Sequence, residues 1–336
     1  MSNELQLDNH LARIGYKGTI KPDFPTLSAL HTAHVDAIPF ESFDPLLRRP
    51  VNLDLASVQA KLIDSRRGGY CFEQNVLFKA ALEAIGFNVT GLAGRVRWMS
   101  PPDNPLGPRT HMMLSVNLTE GTCLADVGFA GSLLDAPLQF KIDVDQRTAM
   151  GTYRLSRSGD LFALSAKQPA GWRVMYMFDL QPQIQADYEL GNWYTSTNPL
   201  ARFTNMLIME RLSGDRRYKL INRVLLIETC DAGVIIERSL GSADEFRQVI
   251  DQTFNMTLPA PAEEIFGRIA VSPSPPIPFK NTPPALLPAD RGNLLDAVLL
   301  NIFARILPVL EPTCHPARPD QVSPVAGLRY FGFTAA

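Results

Sequence analysis

Apolar residues fall at helical spacing through the first part of the chain and then switch to alternation. In residues 24–35, FPTLSALHTAHV, the residues Leu27, Leu30 and His34/Val35 share one face, and Pro39 ends the pattern. Residues 54–63 begin on an N-cap aspartate and carry Leu55, Val58 and Leu62 at helical spacing. The clearest helix spans 73–85. Its stripe is Val76, Leu77, Ala80, Ala81, Ala84 and Ile85, and Gly86 is a C-cap.

Past Gly86 the period moves towards two. Residues 88–98 and 111–118 read as strands around a Pro/Gly loop at 100–110. Thr119-Glu120-Gly121 is a turn, and 122–129 (TCLADVGF) is the return strand. TYRLSRSG, DLFALSAK and GWRVMYMFD continue the series to residue 179, which implies a small β-barrel or sandwich. A linker with a helical start follows. Strands MLIMERLS, YKLINRVLLIET and GVIIERSL come next, with a helix over 243–253 whose first turn holds Asp244 and Glu245. The expected organisation is α+β: a helical domain 1–87, a β-barrel domain 88–181, an interdomain segment 182–203, an α/β lid domain 204–270 and a tail 271–336. That tail holds 12 of the 27 prolines and reads as Pro-rich linker, with one apolar stretch at 294–310.

Composition narrows the function classes. Of 336 residues 46% are hydrophobic and 20% charged, and the net charge is −2. That balance offers no bulk attraction to nucleic acid or to an anionic membrane. The first residues lack the pattern of a signal peptide, and no stretch of about 18 uninterrupted apolar residues occurs. Four cysteines, Cys71, Cys123, Cys230 and Cys314, lie far apart with no CxxC. A disulfide framework or a zinc site is not expected, and a reduced, cytoplasmic protein is the expectation.

The segment RRGGYCFEQN (66–75) then draws attention. Cys71 stands behind Gly68-Gly69 and at the start of the predicted helix. Free N–H groups and the helix dipole there favour a thiolate. Such a cysteine is also often a small buried hydrophobe, so its role depends on partners. A thiol nucleophile needs a base and a group to orient it. Of the five histidines, His10 is near the terminus and His315 in the tail. His31 and His34 share a helix and read as structural. His111 opens a strand after the Pro/Gly loop. Asp126 lies on the return strand in the apolar sequence LADVGF, where a half-buried carboxylate needs a donor. A tight turn would pair Asp126 with about Leu114 or Ser115, so a bulge or strong twist is expected to bring it to His111. A cysteine on a helix with histidine and aspartate on a sheet follows the logic of papain-like thiol enzymes.

With these residues in place the sequence resembles the arylamine N-acetyltransferase family. RGGYCFEQN is similar to that family's nucleophile motif, and IPFES (38–42), HMML (111–114), DVGF (126–129) and NWYTSTNPLARF (192–203) continue the likeness over about residues 5–270. The resemblance implies a helical domain, a β-barrel and an α/β domain around a cysteine-protease-like Cys-His-Asp core. It implies acetyl-CoA as co-substrate, no metal, and an arylamine, arylhydroxylamine or hydrazine as acceptor. Cys71 would accept the acetyl group in a ping-pong cycle, with His111 as base and Asp126 as its partner. Phe40, Phe129 and Phe203 would line the acceptor site, although each also reads as ordinary core. Gly128 and Gly131 would lie near the CoA pyrophosphate or pantetheine arm, or simply form turns. Ser42 stands where the family commonly has asparagine, with little catalytic effect expected. The same triad is compatible with another acyl donor or acceptor, as in a malonyl or propionyl transferase or a macrolactam-forming amide synthase. A thiol hydrolase and a non-enzymatic scaffold are further alternatives. Oligomeric state is not legible.

Overall fold

In the computed structural model, residues 4–98, 100–101, 103–230 and 233–271 are described. The chain divides into two units, Met1–Ile277 and Pro278–Ala336, and every described residue lies in the first. The Pro-rich tail after residue 271, with its 294–310 stretch, lies outside the described residues.

Helices α1 (Leu7–Arg13) and α2 (Phe24–Ala37) come first. Asp23 caps α2 by accepting from the Thr26 N–H, and Pro25 occupies the first turn, where a missing N–H costs nothing. A two-residue strand β1 (Phe40–Glu41) and a short helix α3 (Phe43–Leu46) follow. Helix α4 (Leu55–Gln59) runs into a π-helical turn at Ala60–Asp64. Helix α5 (Cys71–Ile85) ends at Gly86 with φ +101°, the left-handed cap expected of that glycine.

Eight antiparallel strands then curl into a nearly closed, barrel-like sheet. They are β2 (Asn88–Val96), β3 (His111–Leu118), β4 (Gly121–Ala125), β5 (Leu138–Gln139), β6 (Asp145–Arg147), β7 (Thr152–Ser158), β8 (Leu161–Gln168) and β9 (Gly171–Phe178), ordered β5-β4-β3-β2-β9-β8-β7-β6. The edge strands β5 and β6 meet through one side chain. The Gln146 carboxamide accepts from the Gln139 N–H at 2.8 Å and donates to the Gln139 C=O at 2.9 Å, standing in for ladder bonds at the seam. Inside pack Leu92, Met113, Phe129, Leu155, Leu164, Tyr176 and Phe178.

The segment read as a linker is mostly helix α6 (Gln185–Thr197). Its Thr/Ser-rich end looked unhelical because those side chains compete for backbone groups. Here Thr195, Ser196 and Thr197 turn their hydroxyls back onto the carbonyls four residues earlier, at 2.7, 2.7 and 2.5 Å, and stay within the helix. A second antiparallel sheet holds β10 (Ile208–Ser213), β11 (Arg216–Ile221), β12 (Val224–Thr229) and β13 (Gly233–Ser239), with β1 at its edge in the order β1-β10-β11-β12-β13. YKLINRVLLIET is thus two strands, with Asn222 at φ +50° in the turn between them. Helices α7 (Ala243–Gln252) and α8 (Ala262–Val271) cover this sheet. Phe43, Leu46 and Leu47 from the early helical segment share one core with Leu207, Leu220, Phe246, Ile250 and Ile265. No described helix is long and apolar enough to cross a membrane.

Candidate active site

Cys71 is the first residue of α5, two residues earlier than the periodicity places the helix start. The segment that presents it is shaped by glycine. Gly69 bridges Phe40 in parallel, and the Glu41 N–H donates to the Gly69 C=O at 3.0 Å. A Cβ on Gly68 would lie 2.0 Å from the Pro39 carbonyl oxygen, so no other residue fits that approach. The three polar residues after Phe72 are all buried and each has a task. Glu73 accepts from the Tyr70 N–H at 3.1 Å, and Lys61 meets it at 2.7 Å. Gln74 donates to the Pro39 C=O at 2.9 Å and the Gly69 C=O at 3.2 Å. Its Oε1 stands 2.7 Å from His34 Nε2. Beneath lies an ion cluster in which Lys61 and Arg67 both contact Glu41 and Asp44. Burial, helped by the neighbouring Glu41 and Asp44 carboxylates, holds the Glu73 carboxyl above its ordinary range despite Lys61.

His111 opens β3, and its Nε2 lies 2.7 Å from Asp126 Oδ2. Cys71 lies close enough to the same imidazole to raise its pKa, and its Sγ donates to the Thr110 C=O at 3.6 Å. Burial alone would lower the His111 pKa. The Asp126 carboxylate and Cys71 outweigh it and lift the ring to about 9. Asp126 is fully buried, which opposes its charge. His111, with the donors Gly128 N–H and Asn75 Nδ2, nevertheless keeps it below the usual carboxylate range.

The expected bulge between the two strands is absent. β3 and β4 pair in one register, with Leu114 opposite Ala125, and β4 stops at Ala125 rather than running to Phe129. Asp126 therefore leaves the ladder and turns its carboxylate to His111. The loop is held by α5: Asn75 Nδ2 donates to Asp126 Oδ1 at 3.1 Å and to the Met112 C=O at 2.8 Å, and Asn75 Oδ1 accepts from the Val127 N–H at 3.3 Å. Tyr176 OH donates to Asp126 Oδ2 at 2.9 Å. The Asp126 N–H donates to His31 Nε2 at 3.3 Å. Burial depresses His31 to about 4, so the ring is neutral and can accept.

The three phenylalanines fall in two groups. Phe40 and Phe203 meet at a tilt of 53° with centroids 5.7 Å apart, and Phe203 also meets the Tyr70 ring at 5.8 Å. Phe129 instead packs edge-on against His111 at 5.0 Å and near Tyr176 at 5.2 Å. Gly128 lies against α5, where a Cβ would come within 2.7 Å of Cys71 Cα and 2.8 Å of Asn75 Nδ2. Gly131 takes φ +110° under the Trp98 indole, and its N–H donates to Glu210. Helix α6 covers the residues flanking the cysteine: Tyr70 OH donates to Asn192 Oδ1, and Gly191 lets the helix settle on Phe72. Ser42 Oγ accepts from the Ile208 N–H at 3.0 Å and so fastens β1 to β10. Among the described residues no three His, Cys, Asp or Glu side chains gather where they could hold a metal ion.

Sequence reasoning did not single out Asn75, Tyr176 or His31. The one local signal was the polar run Glu73-Gln74-Asn75 on a helix that buries it. Tyr176 sits in an ordinary strand alternation and gives no sign that its hydroxyl meets a carboxylate.

The sequence profile of the N-acetyltransferase family matches residues 23–263. An arylamine N-acetyltransferase from Mycolicibacterium smegmatis is 40% identical over 254 residues, spanning 75% of this chain and 90% of the relative. The solved structure of the arylamine N-acetyltransferase from Salmonella typhimurium superposes with a TM-score of 0.74 at 34% identity, covering 80% of this chain and 99% of that one. The Mycobacterium marinum arylamine N-acetyltransferase in complex with CoA gives a TM-score of 0.75 at 34% identity, covering 79% and 98%.

Proposed function

The chain belongs to the arylamine N-acetyltransferase family, an acyltransferase family, and from that premise we propose that it moves an acetyl group from acetyl-CoA to the nitrogen of an arylamine, arylhydroxylamine or hydrazine through an acetyl-Cys71 intermediate. The observation that carries this reading is Cys71 at the start of a helix beside His111, whose ring is hydrogen-bonded to the buried Asp126, a cysteine-protease-like arrangement. The CoA-bound relative supports the choice of donor.

In the first half-reaction the proton of Cys71 rests on the His111 ring, which is raised to about 9, and the thiolate attacks the thioester carbonyl. The Cys71 S–C bond forms, the C–S bond to CoA breaks, and the departing CoA sulfur takes the proton back from His111. In the second, the amine attacks the acetyl carbon while His111 takes an amine proton. The N–C bond forms, and the Cys71 sulfur leaves and recovers that proton. Asp126 sets the ring orientation and stabilises the imidazolium in both halves. The Phe40–Phe203 pair and Phe129 supply aromatic faces suited to a flat acceptor. Gly128 and Gly131, read as neighbours of the CoA arm, pack against Cys71 and Trp98, and the Gly131 N–H donates to Glu210. The reading places the reaction in the cytoplasm, with no nucleic-acid or membrane partner.

Incubation with acetyl-CoA alone should add about 42 Da to the peptide holding Cys71, since a covalent intermediate forms before the amine binds. Cys71→Ser should give no adduct and no transfer while unfolding as wild type does. An unmodified wild-type protein after rapid quench, or normal turnover by the variant, removes Cys71 from the role of acetyl carrier.

A further inference from the structure

The carboxylate behind His111 is held by a side chain on the helix that carries the cysteine. Asn75 lies one helical turn past Cys71 and is completely buried. Its amide nitrogen is within 2.8 Å of the Met112 C=O, 3.1 Å of Asp126 Oδ1 and 3.2 Å of the Cys71 C=O. Its oxygen faces the Val127 N–H at 3.3 Å. The chemistry of these neighbours settles which end is nitrogen: three acceptors surround one side and one donor meets the other, so the flipped amide would place like against like. The side chain thus bonds to the residue after His111, to Asp126, to the residue after Asp126, and to the Cys71 backbone. Asp126 gives Oδ2 to His111 and Tyr176, and Oδ1 to Asn75 and Gly128.

We infer that Asn75 is a positioning residue for acetyl transfer, fixing the rotation of the Asp126 carboxylate and the gap between helix α5 and strand β3 so that His111 points at Cys71. This rests on the reading of Cys71 as nucleophile. Asn75 touches none of the reacting atoms. It acts because a carboxylate free to rotate can offer its oxygen to His111 at the wrong angle, and because the cysteine and histidine sit on different elements that this amide joins. The space allows no slack: a Cβ on Gly128 would already crowd the Asn75 nitrogen. The charged and titratable groups facing this network are Asp126, His111, Cys71, Tyr176 and the neutral His31 on the Asp126 N–H.

Single-turnover acetylation of Cys71, followed by rapid quench and intact mass, tests the inference in the full-length protein. Asn75→Ala should slow the step at saturating acetyl-CoA by about a hundredfold, the scale of a small misplacement of a catalytic group, with the donor concentration for half-saturation unchanged. Asn75→Asp keeps the shape and keeps the acceptor for Val127. Its new carboxyl can donate to Asp126 only while protonated, which a neighbouring carboxylate favours at low pH. Its rate relative to wild type should therefore fall as pH rises. A relative rate that does not move with pH overturns the inference, as does an Asn75→Ala protein that acetylates at the wild-type rate. Failure of both variants to fold also overturns it, since the residue then serves the fold as a whole. If wild-type protein itself forms no adduct, the nucleophile reading has failed instead.

Discussion

Histidine at position 111 shows how far a residue's chemistry departs from its type. In isolation its ring titrates near 6.5; between a buried carboxylate and a cysteine it is raised to about 9. A pKa raised by folding contributes stability that is fully present below the unfolded value and is lost as pH climbs through the folded one. The gap in unfolding free energy between wild type and His111→Gln should accordingly be widest below about pH 6.5 and narrow towards pH 9. Urea titrations across that range measure it, and a gap that is constant with pH would show that the ring is not charged in the fold. Cys71, His111 and Asp126 were legible in the sequence as candidates because each stood out locally: a cysteine behind two glycines, a histidine opening a strand, an acid among apolar neighbours. Asn75 and Tyr176 were not. Their bonds to Asp126 run between residues 51 and 50 positions apart, and nothing in their own neighbourhoods encodes those pairings.

At the scale of elements, the end of one strand does more for the site than its length. β4 stops at Ala125, so Asp126 escapes the period-two alternation that would have aimed it by register. The apolar pattern of TCLADVGF continues past that point, which is why the strand read as longer than it is. Glycine then lets the released loop lie on α5. Two glycine-to-alanine changes separate this role from ordinary backbone cost. Gly86→Ala meets open space but at φ +101°, so it should cost about 1–2 kcal/mol of stability and leave turnover of the folded protein unchanged. Gly128→Ala would push a Cβ against the Cys71 backbone and should cut the acetylation rate by about a hundredfold by separating loop from helix. Paired melting and single-turnover measurements on both variants check this; equal effects on activity would refute the distinction.

Across the whole molecule, a buried ion pair on adjacent strands reaches by hydrogen bonds to parts of the chain that sequence places far away. Glu210 on β10 receives the Gly131 N–H, the Leu133 N–H at 3.0 Å and Arg217 at 3.3 Å. Arg217 in turn donates to the Leu133 C=O at 3.0 Å and to Tyr153 OH at 3.2 Å. This clamp ties the five-stranded sheet to the loop beyond Asp126 and to the barrel-like sheet. Arg217→Ala leaves a buried carboxylate without its counter-ion and should cost about 3–5 kcal/mol in denaturant unfolding. A loss under about 1 kcal/mol would mean that the pair behaves as an exposed one. Similar long-range packing put β1 at the edge of a sheet whose other strands begin more than 160 residues later. It also set α3 in the core under α7 and α8. By itself the sequence determined three of the helices of the first segment, the change to alternating strands, and Cys71, His111 and Asp126 as candidate site residues. Those features depend on neighbours within a few positions, where periodicity, capping and glycine leave direct traces. Only the tertiary structure decided how Asp126 reaches His111, which glycines serve close packing, and where β1 and α6 lie. Those outcomes depend on which distant surfaces meet, and burial and hydrogen-bond geometry between such surfaces leave no local pattern to read.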